Sequence, residues 1–228
     1  MEDAAGGKNK VLLELSGTPI FIYSLRTLLA SGVLERLVIV HRPEDEEAIL
    51  KALKEEGALP TDRIELAFGG KERFESVYNG LSLLSESPPE IVVIHDSARP
   101  FPAARMVRES VEKAALHGAA TVAIPLSDTL KRGDHGFLVE TLPRNELYRI
   151  QTPQTFKFVL IWEAHQKLRQ LPDPSVTDDC MLLEREGHVI AVVLGDETNI
   201  KVTTPFDLEI ATTILEAANR AETGSCKP

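Results

Sequence analysis

A doubly wound α/β fold, with a mainly parallel sheet and a protruding β-arm, is the architecture this sequence predicts. Three observations carry it. Stretches of helical periodicity alternate with short strand-like runs along most of the chain, as crossover units require. The runs Leu37-Val38-Ile39-Val40 and Ile91-Val92-Val93-Ile94 are continuously apolar and mostly β-branched, which suits strands covered by helices on both faces. From Leu126 to Gln154 the rhythm breaks: Leu130, Phe137, Val139, Leu142 and Leu147 recur among charges, with Gly133 and Gly136 at a turn. An antiparallel arm fits that pattern better than another crossover unit.

Taken in order, Met1 to Lys10 is polar and glycine-containing and reads as loop, and Val11 to Leu15 as extended. A helix runs from Thr18-Pro19 to about Ala30, with Pro19 in its first turn, where a missing N–H costs nothing. The strand at Leu37–Val40 leads to an acidic helix over Pro43 to Glu56, apolar on one side through Ile49, Leu50 and Leu53. Ile64 to Ala67 is the next strand, and Gly69-Gly70 breaks it before a helix from Arg73 to Leu84. The central strand Ile91–Ile94 precedes a helix over Ala103 to Leu116 and an extended stretch from Thr121 to Ile124. Beyond the arm, Phe158 to Leu171 is helical, and Asp178 to Glu186 is a short helix with Thr177 as candidate cap. Val189 to Leu194 is a strand, Gly195 to Lys201 a loop, and Thr204 to Ala221 a long helix. A single domain is expected over 1–228, its arm at about 126–154. Such a hairpin is poorly stable alone and is expected to pack on something, such as a second subunit.

At 228 residues and 43% hydrophobic, the chain can bury a proper core. Its formal net charge of -10, with no basic cluster, argues against nucleic acid. Small anions are compatible with it, because a few lysines in a cleft bind them locally. Cys180 and Cys226 have no CxxC and no ligand-like neighbours, which argues against a disulfide framework or a zinc site. No apolar run is long enough to span a bilayer and the first ten residues hold no apolar core of a leader. A cytoplasmic protein is the expectation.

Asp96 closes the run Ile91–Ile94, and ligands of open α/β sheets bind outside the carboxyl ends of strands. On the local pattern alone Asp96 is equally well a turn-former that caps the helix near Ala103. Gly69-Gly70-Lys71-Glu72-Arg73 joins a strand end to a helix start, where backbone amides can meet an anion or a carbonyl-rich ring. It matches neither usual nucleotide motif, and such a turn is more often only a turn. Lysines are ordinarily solvated, yet Lys201 sits between Ile200 and Val202 just ahead of a helix and could point into a cleft. Ser76, Ser97, His95 and His135 show no spacing that suggests a nucleophile–base pair.

Taken together and in order, the motifs go further. They are KVLLELSGTPI from Lys10, GGKERFESVYNGL from Gly69, HDSARPF from His95 and PLSDTLK from Pro125. RNELYRIQTPQTF from Arg144, TDD from Thr177 and GDETNIKVTTPFDL from Gly195 complete the set. This ordered series resembles the 2-C-methyl-D-erythritol 4-phosphate cytidylyltransferases of the non-mevalonate isoprenoid pathway, over nearly the whole chain. The resemblance implies a Rossmann-like nucleotidyltransferase fold that takes CTP, a sugar-alcohol phosphate and Mg²⁺. It implies that Lys10 and Lys201 act on the α-phosphate, and that Ala4, Ala5, Gly6, Gly70, Lys71, Ser76, Asp96 and Ser97 bind CTP. Asp96, Arg99, Thr129, Arg144 and Thr203 would bind the second substrate, Asp96 doubling as metal ligand, with the arm reaching across a homodimer. Where the family often has Asp, Lys71 stands. The family's apolar opening strand and AAGxGxR segment are matched here only by Ala4-Ala5-Gly6-Gly7. Ribitol 5-phosphate transfer, or nucleotide binding without turnover, are the alternatives that share these motifs.

Overall fold

The computed structural model describes residues 9–57, 60–171, 173 and 175–224. Glu14–Leu15 (β1) and Thr18–Pro19 (β2) form a minimal hairpin whose turn residues, Ser16 and Gly17, both have positive φ, 51° and 79°. Two such residues let a two-residue turn follow the twist of its strands. The hairpin takes up the Thr-Pro pair expected in a helix, so α1 (Ile20–Ala30) starts one residue later with Pro19 as its N-cap. Within Val11–Leu15, only Glu14 and Leu15 are strand, because Lys10–Leu12 closes a single 3-10 turn under the Asn9 side chain.

Leu37–His41 (β3) and Ile64–Phe68 (β4) pair in parallel across α2 (Glu46–Glu56). Their apolar faces, with Phe21, Ile22 and Leu25 of α1 and Ile49 and Leu53 of α2, make one core. Next come α3 (Arg73–Leu84), β5 (Ile91–Ile94), α4 (Ala104–His117) and β6 (Ala119–Pro125). A hairpin of β7 (Leu130–Asp134) and β8 (Phe137–Leu142) projects outward. The chain returns as β9 (Tyr148–Lys157), α5 (Phe158–Gln170), α6 (Cys180–Arg185), β10 (Ala191–Leu194) and α7 (Pro205–Gly224).

The second sheet has the order β10-β6-β9-β5. β10 runs parallel to β6, and β9 lies antiparallel between β6 and β5, so every strand but β9 points one way. This shortens the expected arm. Gln151, Thr152, Pro153 and Gln154, assigned to the arm from sequence, are buried in the central sheet, and the arm proper ends before Tyr148. Pro153 misled the sequence reading, since a residue with no N–H is rarely placed in a central strand. β9 accommodates it where its register against β6 shifts, between Thr121 and Ala123. A second core lies beneath this sheet, with Phe156, Ile161, Leu183 and Leu81 fully enclosed. Thr177 does not cap α6; Asp178 accepts the N–H of Met181 through Oδ1 at 3.0 Å instead. Among the described residues no helix is long and apolar enough to cross a membrane.

Between β3 and β5 the sheet is interrupted. A cavity of about 770 Å³ opens there, walled by both strands and by α1 and α3.

Candidate active site

β5 delivers Asp96 to the carboxyl end of the sheet, and Thr152 on β9 fixes it there: its hydroxyl accepts the Asp96 N–H at 3.1 Å. The same hydroxyl lies 3.0 Å from Nδ1 of His95, whose Nε2 faces the Arg99 carbonyl at 3.1 Å. One proton arrangement satisfies all three groups. Thr152 donates to Nδ1, and Nε2–H donates to the carbonyl, which requires a neutral imidazole. Burial agrees, pushing His95 down to about 4 against the smaller pull of the Arg99 carbonyl. Thr152 is buried, 5% exposed, so this contact braces the loop and does not present a nucleophile.

Three cations converge on Asp96. Lys201 Nζ lies 2.8 Å from Oδ2, Arg73 Nε 3.4 Å from Oδ1 and Arg99 Nε 3.9 Å from Oδ2. Burial alone would raise the Asp96 carboxyl; Lys201, then Arg73 and Arg99, outweigh it and hold it below the usual carboxylate range. Arg73 also binds Asp179 at 2.7 Å, and Asp179 meets His165 Nε2 at 3.0 Å. Burial works against Asp179 as well, and the His165 bond and Arg73 overcome it. The result is a continuous line from Lys201 through Asp96, Arg73 and Asp179 to a fully enclosed histidine.

Arg99 is held differently. Its Nη1 donates to the Asn199 carbonyl at 2.8 Å and its Nη2 to that of Ile150 at 3.4 Å, while Nε is buried with no hydrogen-bond partner. Burial lowers its affinity for its proton, which Asp96 only partly restores. A guanidinium whose hydrogen bonds go to carbonyls, with its one nearby carboxylate shared among three cations, keeps charge available for an anion.

The loop that carries Lys201 is clamped to β9. Asn199, fully buried, donates from Nδ2 to the Thr152 carbonyl at 3.0 Å and to Gln151 Oε1 at 3.2 Å. Gln151 Nε2 in turn donates to the Asp196 carbonyl at 2.7 Å. Only glycine fits at 195, where a Cβ would stand 2.3 Å from Gln151 Oε1. The Val202 N–H then reaches the Ala98 carbonyl at 2.8 Å. Lys10 joins from the opposite end of the chain, its Nζ donating to the Thr203 carbonyl at 2.7 Å. Thr203 contributes that carbonyl, while its own N–H and hydroxyl are tied to Asp207 at the start of α7. The two lysines expected to act together are thus held by one three-residue segment.

Other expected residues stand apart. Ser76 and Ser97 line the cavity beside Asp96. The Gly70 N–H is occupied by the Ser76 hydroxyl at 3.1 Å, and the Lys71 and Glu72 amides by Glu75 Oε2 at 2.7 and 3.1 Å. The Lys71 and Glu72 amides become free for a ligand only if the Glu75 carboxylate moves, and the Gly70 amide only if the Ser76 hydroxyl turns away. Thr129 is exposed at the root of the arm, and Arg144 donates to the Ser127 carbonyl within it. Neither is brought to Asp96 of its own chain. Ala4, Ala5 and Gly6 lie outside the described residues.

Sequence reasoning missed Arg73, Thr152, Gln151, Asn199 and Asp179 as parts of this group. A signal existed only for Asp179: two adjacent acids ahead of an apolar helix imply that one of them is buried with a partner. As a metal centre the described residues do not fit, since they assemble no cluster of three His, Cys, Asp or Glu. Asp96 is ringed by cations. A Mg²⁺ that arrives on substrate phosphates needs only one or two protein carboxylates, which the described side chains could supply through Asp96.

A cleft at the carboxyl end of an α/β sheet, where among the described residues four cations stand against two carboxylates with no usable nucleophile–base pair, defines a class. It belongs to proteins that hold polyphosphate anions and move a nucleotidyl group by positioning and charge. Comparison with known proteins narrows the class. The family model described as IspD, 2-C-methyl-D-erythritol 4-phosphate cytidylyltransferase, matches residues 2–217. A protein of that name from Bacillus velezensis is 37% identical over 220 residues, covering 96% of this chain and 91% of its own. One from Clostridium beijerinckii is 41% identical over 207 residues, covering 90% and 88%. Among solved structures, the 4-diphosphocytidyl-2C-methyl-D-erythritol synthase of Anaerococcus prevotii superposes with a TM-score of 0.81 at 29% identity, covering 89% of this chain and 88% of that one. The Thermus thermophilus cytidylyltransferase gives 0.74 at 29% identity, covering 92% and 95%. This chain belongs to the 2-C-methyl-D-erythritol 4-phosphate cytidylyltransferase family.

Proposed function

We infer that this chain transfers the cytidylyl group of CTP to the phosphate of 2-C-methyl-D-erythritol 4-phosphate, releasing pyrophosphate, in non-mevalonate isoprenoid biosynthesis. The observation that carries the reading is that Lys10 donates to the Thr203 carbonyl while Lys201, two residues earlier on the same segment, rests on Asp96. A phosphate oxygen of the second substrate attacks the α-phosphorus of CTP, a new P–O bond forms, and the bond to the β-phosphate breaks. No enzyme side chain enters the covalent path. What the protein must supply is in-line placement and cationic charge where negative charge grows.

Lysine suits that task as a compact, mobile cation. In the free protein Lys201 rests on Asp96 and Lys10 on a carbonyl. Both exchange these partners for the α-phosphate when CTP binds. Asp96 is then free to accept sugar hydroxyls or to hold Mg²⁺ carried on the triphosphate, which would add neutralising charge there. Arg99, beside Asp96, adds positive charge that attracts substrate anion to the same place. Gly70 and Lys71 meet the cytosine with backbone amides, and Ser76 with its hydroxyl, once Glu75 releases the loop.

Thr129 and Arg144 serve a partner's site in this reading. The arm presents Phe137, Leu138 and Val139 to solvent, 75%, 71% and 57% exposed, which is an apolar tip suited to burial against a second copy. A homodimer thereby delivers the bidentate Arg144 fork to the second substrate's phosphate.

The test is pyrophosphate release from CTP and Mg²⁺, with methylerythritol 4-phosphate and ribitol 5-phosphate as parallel acceptors. Turnover with the first alone is expected. Preference for the second reassigns the substrate, and calorimetric CTP binding with neither product makes the chain a nucleotide binder.

A further inference from the structure

Arg73 is shared between two carboxylates in a way that its own chemistry does not favour. Nε and one terminal nitrogen of a guanidinium form a planar fork that fits the two oxygens of a single carboxylate. Arg26 uses the same atoms in that way, with Nε 2.5 Å from Glu56 Oε1 and Nη2 2.6 Å from Oε2. In Arg73 the fork is split: Nη2 meets Asp179 Oδ2 at 2.7 Å, while Nε stands 3.4 Å from Asp96 Oδ1. Asp96 keeps its other oxygen, Oδ2, for Lys201 at 2.8 Å.

What splits the fork is the fixed place of Asp179. It stands immediately before α6, its N–H donates to Gln154 Oε1 on β9 at 3.2 Å, and its Oδ1 meets His165 Nε2 at 3.0 Å. Asp179 and His165 are buried, whereas Arg73 and Lys201 are partly exposed. The Asp179 carboxylate is therefore the fixed member and the arginine the movable one. Burial works against the charge of Arg73; Asp179 first, and then Asp96, outweigh it and strengthen its hold on its proton. The division matters because the cations on Asp96 differ in what can remove them. A half-exposed lysine pair is weak, and an incoming phosphate draws the ammonium away. An arginine closed on both oxygens is given up less easily, and it occupies Oδ2 as well. Asp96 could then accept nothing from a second substrate once CTP had bound.

We propose, on the function inferred above, that Asp179 is a positioning residue for the transfer. By holding one prong of Arg73 it keeps the fork from closing on Asp96, and so reserves Oδ2 first for Lys201 and then for a hydroxyl of the sugar phosphate. Asp179 touches neither substrate and acts only through Arg73. His165 and Gln154 hold it in place.

The test is Asp179→Asn, which keeps the shape, removes the charge and leaves one acceptor oxygen where the carboxylate offers two. In crystals of the ligand-free variant, Nε and Nη2 of Arg73 should both lie on Asp96, with Lys201 displaced. Calorimetry should then read CTP bound about two- to fivefold more tightly, because Lys201 no longer has a carboxylate to leave. KM for the sugar phosphate should rise about tenfold or more, the worth of a lost bond to a charged acceptor. A purely structural role would lower the urea midpoint and move neither constant. Asp179→Glu, which restores the charge, should return both constants toward wild type. An asparagine variant in which Arg73 stays divided, or in which KM for the sugar phosphate is unchanged, overturns the proposal. Should that variant fail to fold, the wild-type complex with CTP decides. Arg73 should remain on Asp179 after Lys201 has left Asp96, and a fork closed on Asp96 in that complex overturns the proposal. Wild-type protein that binds no CTP fails the function inferred above. Normal transfer by wild type, beside an asparagine variant with Arg73 unmoved, fails the role of Asp179 alone.

Discussion

Replacing Lys201 by alanine separates the two things this side chain does. Its ammonium lies 2.8 Å from Asp96, but the lysine side chain is 42% exposed and the aspartate keeps Arg73 and Arg99 as neighbours. A half-exposed pair of this kind contributes about 0.2–1 kcal/mol to folding. Removing a cation aimed at growing transition-state charge costs far more, about 2.7–4 kcal/mol or a hundred- to a thousandfold in turnover. Lys201→Ala should therefore lose turnover by that factor while its urea midpoint moves only slightly. Pyrophosphate release at saturating CTP, set beside a urea melt, reads both quantities. A variant that keeps the wild-type rate removes Lys201 from the reaction. One that loses about 3 kcal/mol of stability or more would show that the lysine is chiefly structural.

Three further perturbations follow from the same geometry. Arg144→Ala should raise KM for the sugar phosphate about tenfold or more with little change in KM for CTP, because a bidentate phosphate contact is lost; unchanged KM values would take the arm out of substrate binding. Asp179→Ala strips a buried counter-ion from Arg73 and a hydrogen bond from His165. Breaking such a pair costs about 3–5 kcal/mol, and the partial exposure of Arg73 places the effect near the lower bound, to be read from denaturant melts. His95 is held neutral down to about 4, whereas an unfolded histidine titrates near its ordinary 6.5. The unfolded chain therefore binds the extra proton first, so stability is full above 6.5 and falls as pH drops toward 4, by about 3 kcal/mol for this group. In His95→Gln the midpoint should lose that slope between pH 6.5 and 4, and a slope identical to wild type would show that His95 titrates normally in the fold.

Much of the fold was legible because burial writes itself into sequence. Val38, Ile39, Val93 and Ile94 announce strands, and the spacing of Ile49 and Leu53 announces a helix facing them. β9 was not legible, since Thr152, Pro153 and Gln154 carry a polar, proline-broken pattern. Their polar groups are needed inside: Thr152 braces Asp96, and Gln154 reaches both Asp178 and the Asp179 N–H. The same physics governs the site. Lys10, Asp96 and Lys201 stood out by motif, yet nothing local foretold that Arg73 and Asp179 would complete their charge balance. Those pairings span 23 and 106 positions, and sequence pattern speaks only of near neighbours.

The bond from Lys10 to the Thr203 carbonyl joins positions 193 apart. Loop closure over such a separation comes late, because its entropic cost is recovered only once the intervening elements have packed. During synthesis Lys10 is made long before Lys201 and must wait for it. A ribosome-bound chain can therefore acquire both cores without acquiring the paired cations. A chain that stops before Gly195 holds one of the two lysines and cannot complete the site.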